Sequence, residues 1–296
     1  MIMEDYEAVI PVCNPDARLY KVLDRLLRQE KTPYKINIYL TVTESFGEPE
    51  LLKGLKEAGL ADKGISVTAV LKDEFNHGGT RQKAAETVVS HYCLFMTQDA
   101  VPVDIHLADS MLKQFKKKQV AVCYARQLPY KNASIKEKYA RNYNYPPESS
   151  IKDKALLDKG KIKAIFCSDV CAMYDMRVFN ELGGFERNVN FNEDMIYAHK
   201  ALSNGYMISY DAEALVYHSH NLSLRDQFRR NRELARSQKQ HPEVFAGLSS
   251  EDEGMKFVKN GLSYCLKQGS ITEAISFIAD CGFRFAGFKI GKMFGK

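Results

Sequence analysis

An α/β fold, with a mostly parallel sheet flanked by helices and a helical C-terminal extension, is predicted by three features of the 296-residue sequence. Short apolar runs rich in β-formers alternate with amphipathic stretches through the first hundred residues, the pattern of strand–helix crossover units. One such run, within residues 91–102, ends abruptly at Asp99 and is closed by Pro102, as a buried strand does when it delivers a polar group to its carboxyl edge. Beyond Leu224 the chain turns basic and helical, with a break near His241 and Pro242.

The elements follow in order. Residues 8–12 form a first strand, and Asn14, Pro15 and Asp16 turn the chain into a helix over 17–29. Leu19, Val22, Leu23, Leu26 and Leu27 share one face of that helix. Residues 34–42 and 65–71 are the next two strands. Gly78 and Gly79 lead into a helix carrying Ala84, Ala85, Val88 and Val89, and the strand ending at Asp99 is the fourth. Residues 120–125 add another. The tyrosine-rich stretch 139–147 is too irregular for a core element and is predicted as a ligand-contacting loop. Regular structure returns at 164–167 and in a helix near 176–182 that Gly183 and Gly184 terminate.

A net charge of +5 does not call for nucleic acid. The seven cysteines lack paired zinc spacing, and most sit in apolar runs, so buried reduced thiols in a cytoplasmic protein are expected. Neither a signal peptide nor a run of membrane-span length is apparent, so a soluble or peripheral protein on the inner side is expected.

Four groups of residues carry the chemistry. Asp99 stands where sheets of this kind bind ligands, although an aspartate there also caps helices. Glu193 and Asp194 open a helix, where they either complement its dipole or include a general base for an acceptor hydroxyl. His218 and His220, two apart after an apolar strand, project to one side if the strand continues, where imidazoles complete a divalent-metal shell begun by a carboxylate. Phe75-Asn-His-Gly-Gly-Thr-Arg81 places glycines before a helix, which permits close approach to an anion, with Arg81 to meet a phosphate. This segment is neither a Walker A loop nor a dinucleotide fingerprint.

Taken in order, these segments resemble the family 2 inverting glycosyltransferases of the GT-A fold, and within them a bacterial rhamnosyltransferase-like branch. The resemblance rests on Val9-Ile-Pro-Val-Cys-Asn14, residues 75–81, Thr97-Gln-Asp-Ala100, Ser168, Gly183-Gly-Phe185, Asn192-Glu-Asp194 and His218-Ser-His220, and spans about residues 6–230. It implies a catalytic domain at 1–230 and a helical extension at 231–296.

The resemblance implies that Asp99 is the remaining carboxylate of an Asp-x-Asp metal motif whose first position is Thr97 here. His218 completes the shell for Mg²⁺ or Mn²⁺, with His220 the secondary candidate. Asp194 is then the base and Glu193 its neighbour, acting in a single displacement that moves a sugar, rhamnose first, from a nucleotide diphosphate. Pro11, Cys13, Asn14, Glu44, His77, Gly78, Arg81 and Gln98 fall on the nucleotide side, Glu44 standing where relatives carry a pyrimidine-reading aspartate. Arg141, Tyr143, Tyr145 and Asn192 fall on the acceptor side. The implied donor is dTDP-rhamnose or a UDP-sugar, and the acceptor a glycan or lipid-linked glycan of a bacterial surface polysaccharide.

Two rival readings are a sugar nucleotidyltransferase and a degenerate transferase kept as a scaffold. The first loop lacks the former's glycine-rich activation motif, and the intact Asn192-Glu-Asp194 argues against the latter. In the tail, Phe277, Phe283, Phe285 and Phe288 alternate with basic residues including Lys289, Lys292 and Lys296. Such a helix docks on an anionic bilayer or packs on the catalytic domain or a second subunit.

Overall fold

The structure, a computed structural model, describes residues 5–117 and 119–294; Lys296 lies outside them. The first half contains β1 (Tyr6–Cys13), α1 (Ala17–Leu27), β2 (Lys35–Val42), α2 (Glu48–Glu57), β3 (Ile65–Leu71), α3 (His77–Ala85), β4 (Tyr92–Met96), β5 (Val101–Pro102), α4 (Leu107–Gln114) and β6 (Val120–Leu128). The second half contains α5 (Ile135–Asn144), β7 (Ser150–Lys152), α6 (Lys154–Leu157), β8 (Cys171–Asp175), α7 (Met176–Glu181), α8 (Glu193–Ser203) and β9 (Met207–Tyr217). Four helices end the chain: α9 (Leu224–Gln240), α10 (Pro242–Phe245), α11 (Glu251–Lys267) and α12 (Ile271–Phe294).

Among the described residues the strands form one nine-stranded sheet, ordered β3-β2-β1-β4-β8-β6-β9-β5, with β7 on β9. Neighbours are parallel from β3 to β4, as the alternation of strand and helix requires. Beyond β4 the sheet is mixed: β8 is antiparallel to both β4 and β6, while β6 and β9 run parallel. Side chains alternate across it. Val9 and Phe95 pack below with Tyr174, Phe179 and Tyr197, whereas Ile10 and Leu94 pack above with Leu19, Leu23 and Met111. Each fully buried side chain of this size contributes about 1.5–3 kcal/mol. Asp16 caps α1 by accepting from the Arg18 N–H, and the buried Leu19, Val22, Leu23 and Leu26 hold that helix on the sheet.

Three expectations are corrected. The tyrosine-rich stretch is not a loop: α5 occupies most of it, capped by Ser134 and braced by an Arg141–Glu137 ion pair of 2.8 Å. Its aromatic spacing hides the helix, because Tyr139 and Tyr143 point not at the sheet but at Phe257 of α11 (centroids 5.0 and 5.2 Å). Residues 164–167 form no strand; a short 3₁₀ turn, Ile162–Ala164, stands there, and the strand begins at Cys171. Helix α3 ends before Val88, and Val89 is exposed.

The C-terminal helices lie against the catalytic unit through a small core of Tyr139, Cys265, Ala274 and Phe277, so Phe277 is buried rather than offered outward. Helices α9 and α12 approach closely because α12 has glycines at the contact. A Cβ on Gly287 would stand 2.3 Å from the Phe228 carbonyl, and one on Gly291 would stand 2.3 Å from that of Arg232. Helix α9 runs unbroken through residue 230, so the expected division at 230/231 falls inside an element. Among the described residues no helix is long and apolar enough to cross a membrane. Five of the seven cysteines are buried and all are free.

Candidate active site

The carboxyl ends of β1, β2, β4, β6 and β9 open on one cleft, and strand pairing assembles its first cluster. Asp99 precedes the two-residue β5, whose Val101 pairs with Tyr217 at the end of β9. Tyr217 also stands beside Leu128 of β6, and the next residue, His218, donates its N–H to the Leu128 carbonyl (2.9 Å). The ends of three distant segments therefore meet. His218 Nε2 lies 3.7 Å from Asp99 Oδ1, His220 Nε2 lies 3.4 Å from Asp99 Oδ2, and the two Nε2 atoms are 3.0 Å apart. These atoms lie within 4.8 Å of one another, a spacing able to hold a metal ion.

Gln127 on β6 sets the chemistry of this cluster. Arg141 can only donate, so the Gln127 oxygen faces it, and the same oxygen lies 2.8 Å from His218 Nδ1. His218 Nδ1 therefore carries the hydrogen, which leaves the Nε2 lone pair aimed at Asp99, the orientation a metal-binding imidazole needs. The Gln127 amide nitrogen donates to Tyr145 Oη (2.6 Å) and Ser168 Oγ (3.0 Å). Burial holds the His218 pKa well below the ordinary imidazole range, and Arg141 adds to this, so the ring is neutral and open to a cation. One carboxylate with two imidazoles suits a divalent transition ion.

The second cluster lies one residue beyond Ser168. The Asp169 N–H donates to Asp194 Oδ2 (3.3 Å), so a short path joins His218, Gln127, Ser168 and the Asp194 carboxylate. Asp194 opens α8 and also accepts its neighbour Met195's N–H (2.8 Å). Burial raises its pKa well above the carboxylate range, and Glu193 and Asp169 raise it further. Asp169 is fully enclosed and pushed up to about 7 by desolvation, although Arg81 pulls it down. Arg81 neutralises the group: its Nη1 is 2.7 Å from Glu193 and its Nε 3.5 Å from Asp169.

Several candidates have other work than the sequence reading assigned. Arg81 is only 4% exposed and is consumed by these carboxylates, so it is not free to meet a phosphate. Gly78 approaches protein, not an anion: its N–H donates to the Val189 carbonyl (2.9 Å), and a Cβ there would stand 2.0 Å from the Glu186 oxygen. Backbone cannot yield as a side chain can, so Gly78→Ala is expected to destabilise the fold by about 1–3 kcal/mol in urea denaturation. Asn192, left-handed at φ 68°, is buried and donates its amide to the Leu234 carbonyl (3.2 Å), fixing the α8 loop to α9 instead of facing an acceptor. Tyr143 is drawn into the α11 interface, where its hydroxyl meets Glu253 (3.0 Å) and Lys163 lies 4.2 Å over its ring.

The remaining candidates line the cleft. Gln98 bridges two strand ends by accepting from the Cys13 N–H (2.8 Å) and donating to its carbonyl (3.1 Å). Pro11 lies on β1, paired with Tyr39, and Asn14 accepts from Thr43 Oγ1 (2.9 Å). Glu44 is exposed in the next position. His77 is held neutral, its pKa lowered to about 4 by burial and then by Arg81, whose Nη1 lies 3.2 Å from Nδ1. Tyr145 and Arg141 line a cavity beside His220.

Sequence reading missed Arg18, Gln127 and Asp169. Arg18 sits in the first turn of α1, gripped by Asp16 and 3.3 Å from Asp99 Oδ2. The hydroxyl of Thr97, which replaces the absent acid, is buried with no hydrogen-bond partner among the described residues. Asp169 carried one available signal, its place next to Ser168; Gln127 carried none.

The model of glycosyl transferase family 2 matches residues 7–183. O-antigen chain rhamnosyltransferase RfbN of Salmonella typhimurium is 33% identical over 288 residues, covering 96% of this chain and 88% of the relative. O-antigen chain rhamnosyltransferase WbaN of Salmonella anatum is 36% identical over 231 residues, covering 77% and 72%. Among solved structures, a mannosyltransferase from Pyrobaculum calidifontis in complex with GDP-Man and Mn²⁺ aligns with TM-score 0.66 at 10% identity, covering 98% of this chain and 87% of that one. Residues 1–349 of S. aureus TarS in complex with UDP-GlcNAc align with TM-score 0.55 at 10% identity, covering 97% and 90%. The two structural likenesses carry the GT-A fold.

Proposed function

We propose that this chain, which belongs to glycosyl transferase family 2, transfers a rhamnosyl residue from a nucleotide-diphosphate donor onto a growing bacterial surface polysaccharide. That it is a glycosyltransferase follows from its family. Rhamnose and the O-antigen acceptor are inferred from the names of the relatives it resembles. The observation that carries the mechanism is the pairing of the Asp99–His218–His220 cluster with a raised-pKa carboxylate, Asp194, through Gln127 and Ser168.

Asp99, His218 and His220 are the residues to hold a divalent ion, Mn²⁺ before Mg²⁺ because two of three ligands are imidazoles. When bound, such an ion supplies positive charge opposite the departing diphosphate. Asp194 takes the acceptor hydroxyl proton. The acceptor oxygen then bonds to the anomeric carbon as the bond to the diphosphate oxygen breaks, a single displacement that inverts configuration. Arg81, by holding Glu193 and Asp169, keeps the two neighbouring carboxylates fixed around that base. The donor is dTDP-rhamnose or a UDP-sugar, bound beside Pro11, Cys13, Asn14 and Gln98.

A lipid-linked acceptor suits the outer face of α12. Ile271, Ile275, Ile278 and Phe285 are exposed there and Lys289 stands over Phe285 (5.5 Å), a pattern fitted to the inner, anionic face of a plasma membrane.

Donor binding tests the assignment. Asp99→Asn is expected to weaken Mn²⁺-dependent binding of dTDP or UDP by at least about tenfold, measured by calorimetry, while melting changes little. Nucleotide binding that ignores both Mn²⁺ and this substitution would remove the metal cluster from the mechanism.

A further inference from the structure

A cavity of about 190 Å³ opens between α5, α9 and α12, with His220 and Tyr145 on its wall. Three arginines from three helices line it: Arg141 of α5, Arg230 of α9 and Arg284 of α12. The facing carboxylate, Glu137, is already engaged, accepting from Arg141 Nε (2.8 Å) and from the His220 N–H (3.2 Å).

Two of the arginines are held by one edge, and the third has no such hold among the described residues. Arg284 is gripped through Nε by Asp280 (2.6 Å), a buried carboxylate that also has Lys136 at 3.6 Å. Arg141 gives Nε to Glu137 and Nη1 to Gln127. Arg141 Nη2, both terminal nitrogens of Arg284 and the whole Arg230 guanidinium have no hydrogen-bond or ion-pair partner among the described residues. The surrounding protein, and next Arg141, act to lower the Arg230 pKa, with Arg284 adding to the effect. Three like charges converging on an aqueous cavity are relieved by an anion, and planar guanidinium forks match the oxygens of a phosphate.

We propose that Arg141, Arg230 and Arg284 form a phosphate-binding subsite, completed only by the C-terminal helices, that holds a phosphate or diphosphate ester of a ligand in this cleft. The inference deepens the transferase reading and rests on it only for which ligand carries the phosphate. His220 belongs to both the cavity and the Asp99 cluster, so the phosphate is either the donor's or that of a lipid-linked acceptor.

The direct probe is inorganic pyrophosphate titrated by calorimetry into the full chain with EDTA present. Arg230→Gln is expected to weaken binding about tenfold or more, and Arg230→Lys less, since lysine keeps the charge but not the fork. The melting temperature of each variant serves as the folding control. Arg284→Lys, which keeps a cation for Asp280, is expected to weaken binding in the same direction. Undetectable binding to the wild type, or equal binding by the wild type, Arg230→Gln and Arg284→Lys, overturns the subsite. Initial rates identify the source: a raised donor KM in Arg230→Gln assigns the phosphate to the donor, and a raised acceptor KM with unchanged donor KM assigns it to the acceptor. Arginine-dependent pyrophosphate binding in a chain that turns over no sugar nucleotide would keep the subsite and sink the transferase mechanism.

Discussion

Asp194→Asn is expected to lower kcat by about a hundred- to ten-thousand-fold, while Mn²⁺-dependent nucleotide binding and melting are expected to stay near wild type. Asparagine preserves the size and the acceptor oxygen that holds the Asp169 N–H, but it cannot take a proton. The wild-type pH profile carries the same information. Burial, with Glu193 and Asp169 nearby, raises the Asp194 pKa, and only the ionised form is a base. Transfer therefore falls as pH drops through a value above the ordinary carboxylate range, and the acid limb of kcat/KM lies correspondingly high. An acid limb in the ordinary range, or substantial turnover by Asp194→Asn, would move the base elsewhere.

Arg81→Met is expected to destabilise the protein by about 3–5 kcal/mol, because it strands Glu193 and Asp169 beside Asp194 without a cation. The loss should depend on pH with a definite sign. Asp169 has its folded pKa raised to about 7 from 3.8, so its contribution is present below the unfolded value and lost as pH rises through the folded one. Without Arg81, which pulls it down, the Asp169 carboxyl holds its proton more tightly still, so the variant loses more stability at about pH 8 than at about pH 5. Urea denaturation at the two pH values checks this; equal losses at both would show that the methionine disturbs packing rather than charge.

The two outcomes bear on different parts of the site. Asp194 acts on a substrate, whereas Arg81 acts on Glu193 and Asp169 and is a positioning residue. A residual activity in Arg81→Met with an altered pH profile is the signature of that indirect role, since a lost fold would lower kcat without moving the limb.

Much of this architecture was legible without coordinates. The strands at 8–12, 34–42, 65–71 and 120–125 correspond to β1, β2, β3 and β6, because alternation and apolar runs are local properties. Glu193 and Asp194 at a helix start and His218 and His220 past a strand were legible for the same reason. The fourth strand was placed too long, since β4 ends at Met96, Asp99 lies in the turn beyond it and Pro102 belongs to β5. The helix α5 was not, because its tyrosines serve a contact with α11, more than a hundred positions later, and so show no period relative to the sheet.

What the sequence determined by itself is therefore the kind of fold and the residues with chemistry at element ends. Only the tertiary structure decided their partners. Two residues of β5 bring Asp99 to both histidines; Arg81 faces Glu193, 112 positions away, rather than a phosphate; Gln127 orients His218; and α9 and α12 turn Arg230 and Arg284 toward Arg141's cavity. Periodicity is written in neighbouring residues. Charge pairing acts across space between segments whose separation along the chain carries no local signal, so it emerges only when strand register and helix packing have set the distances.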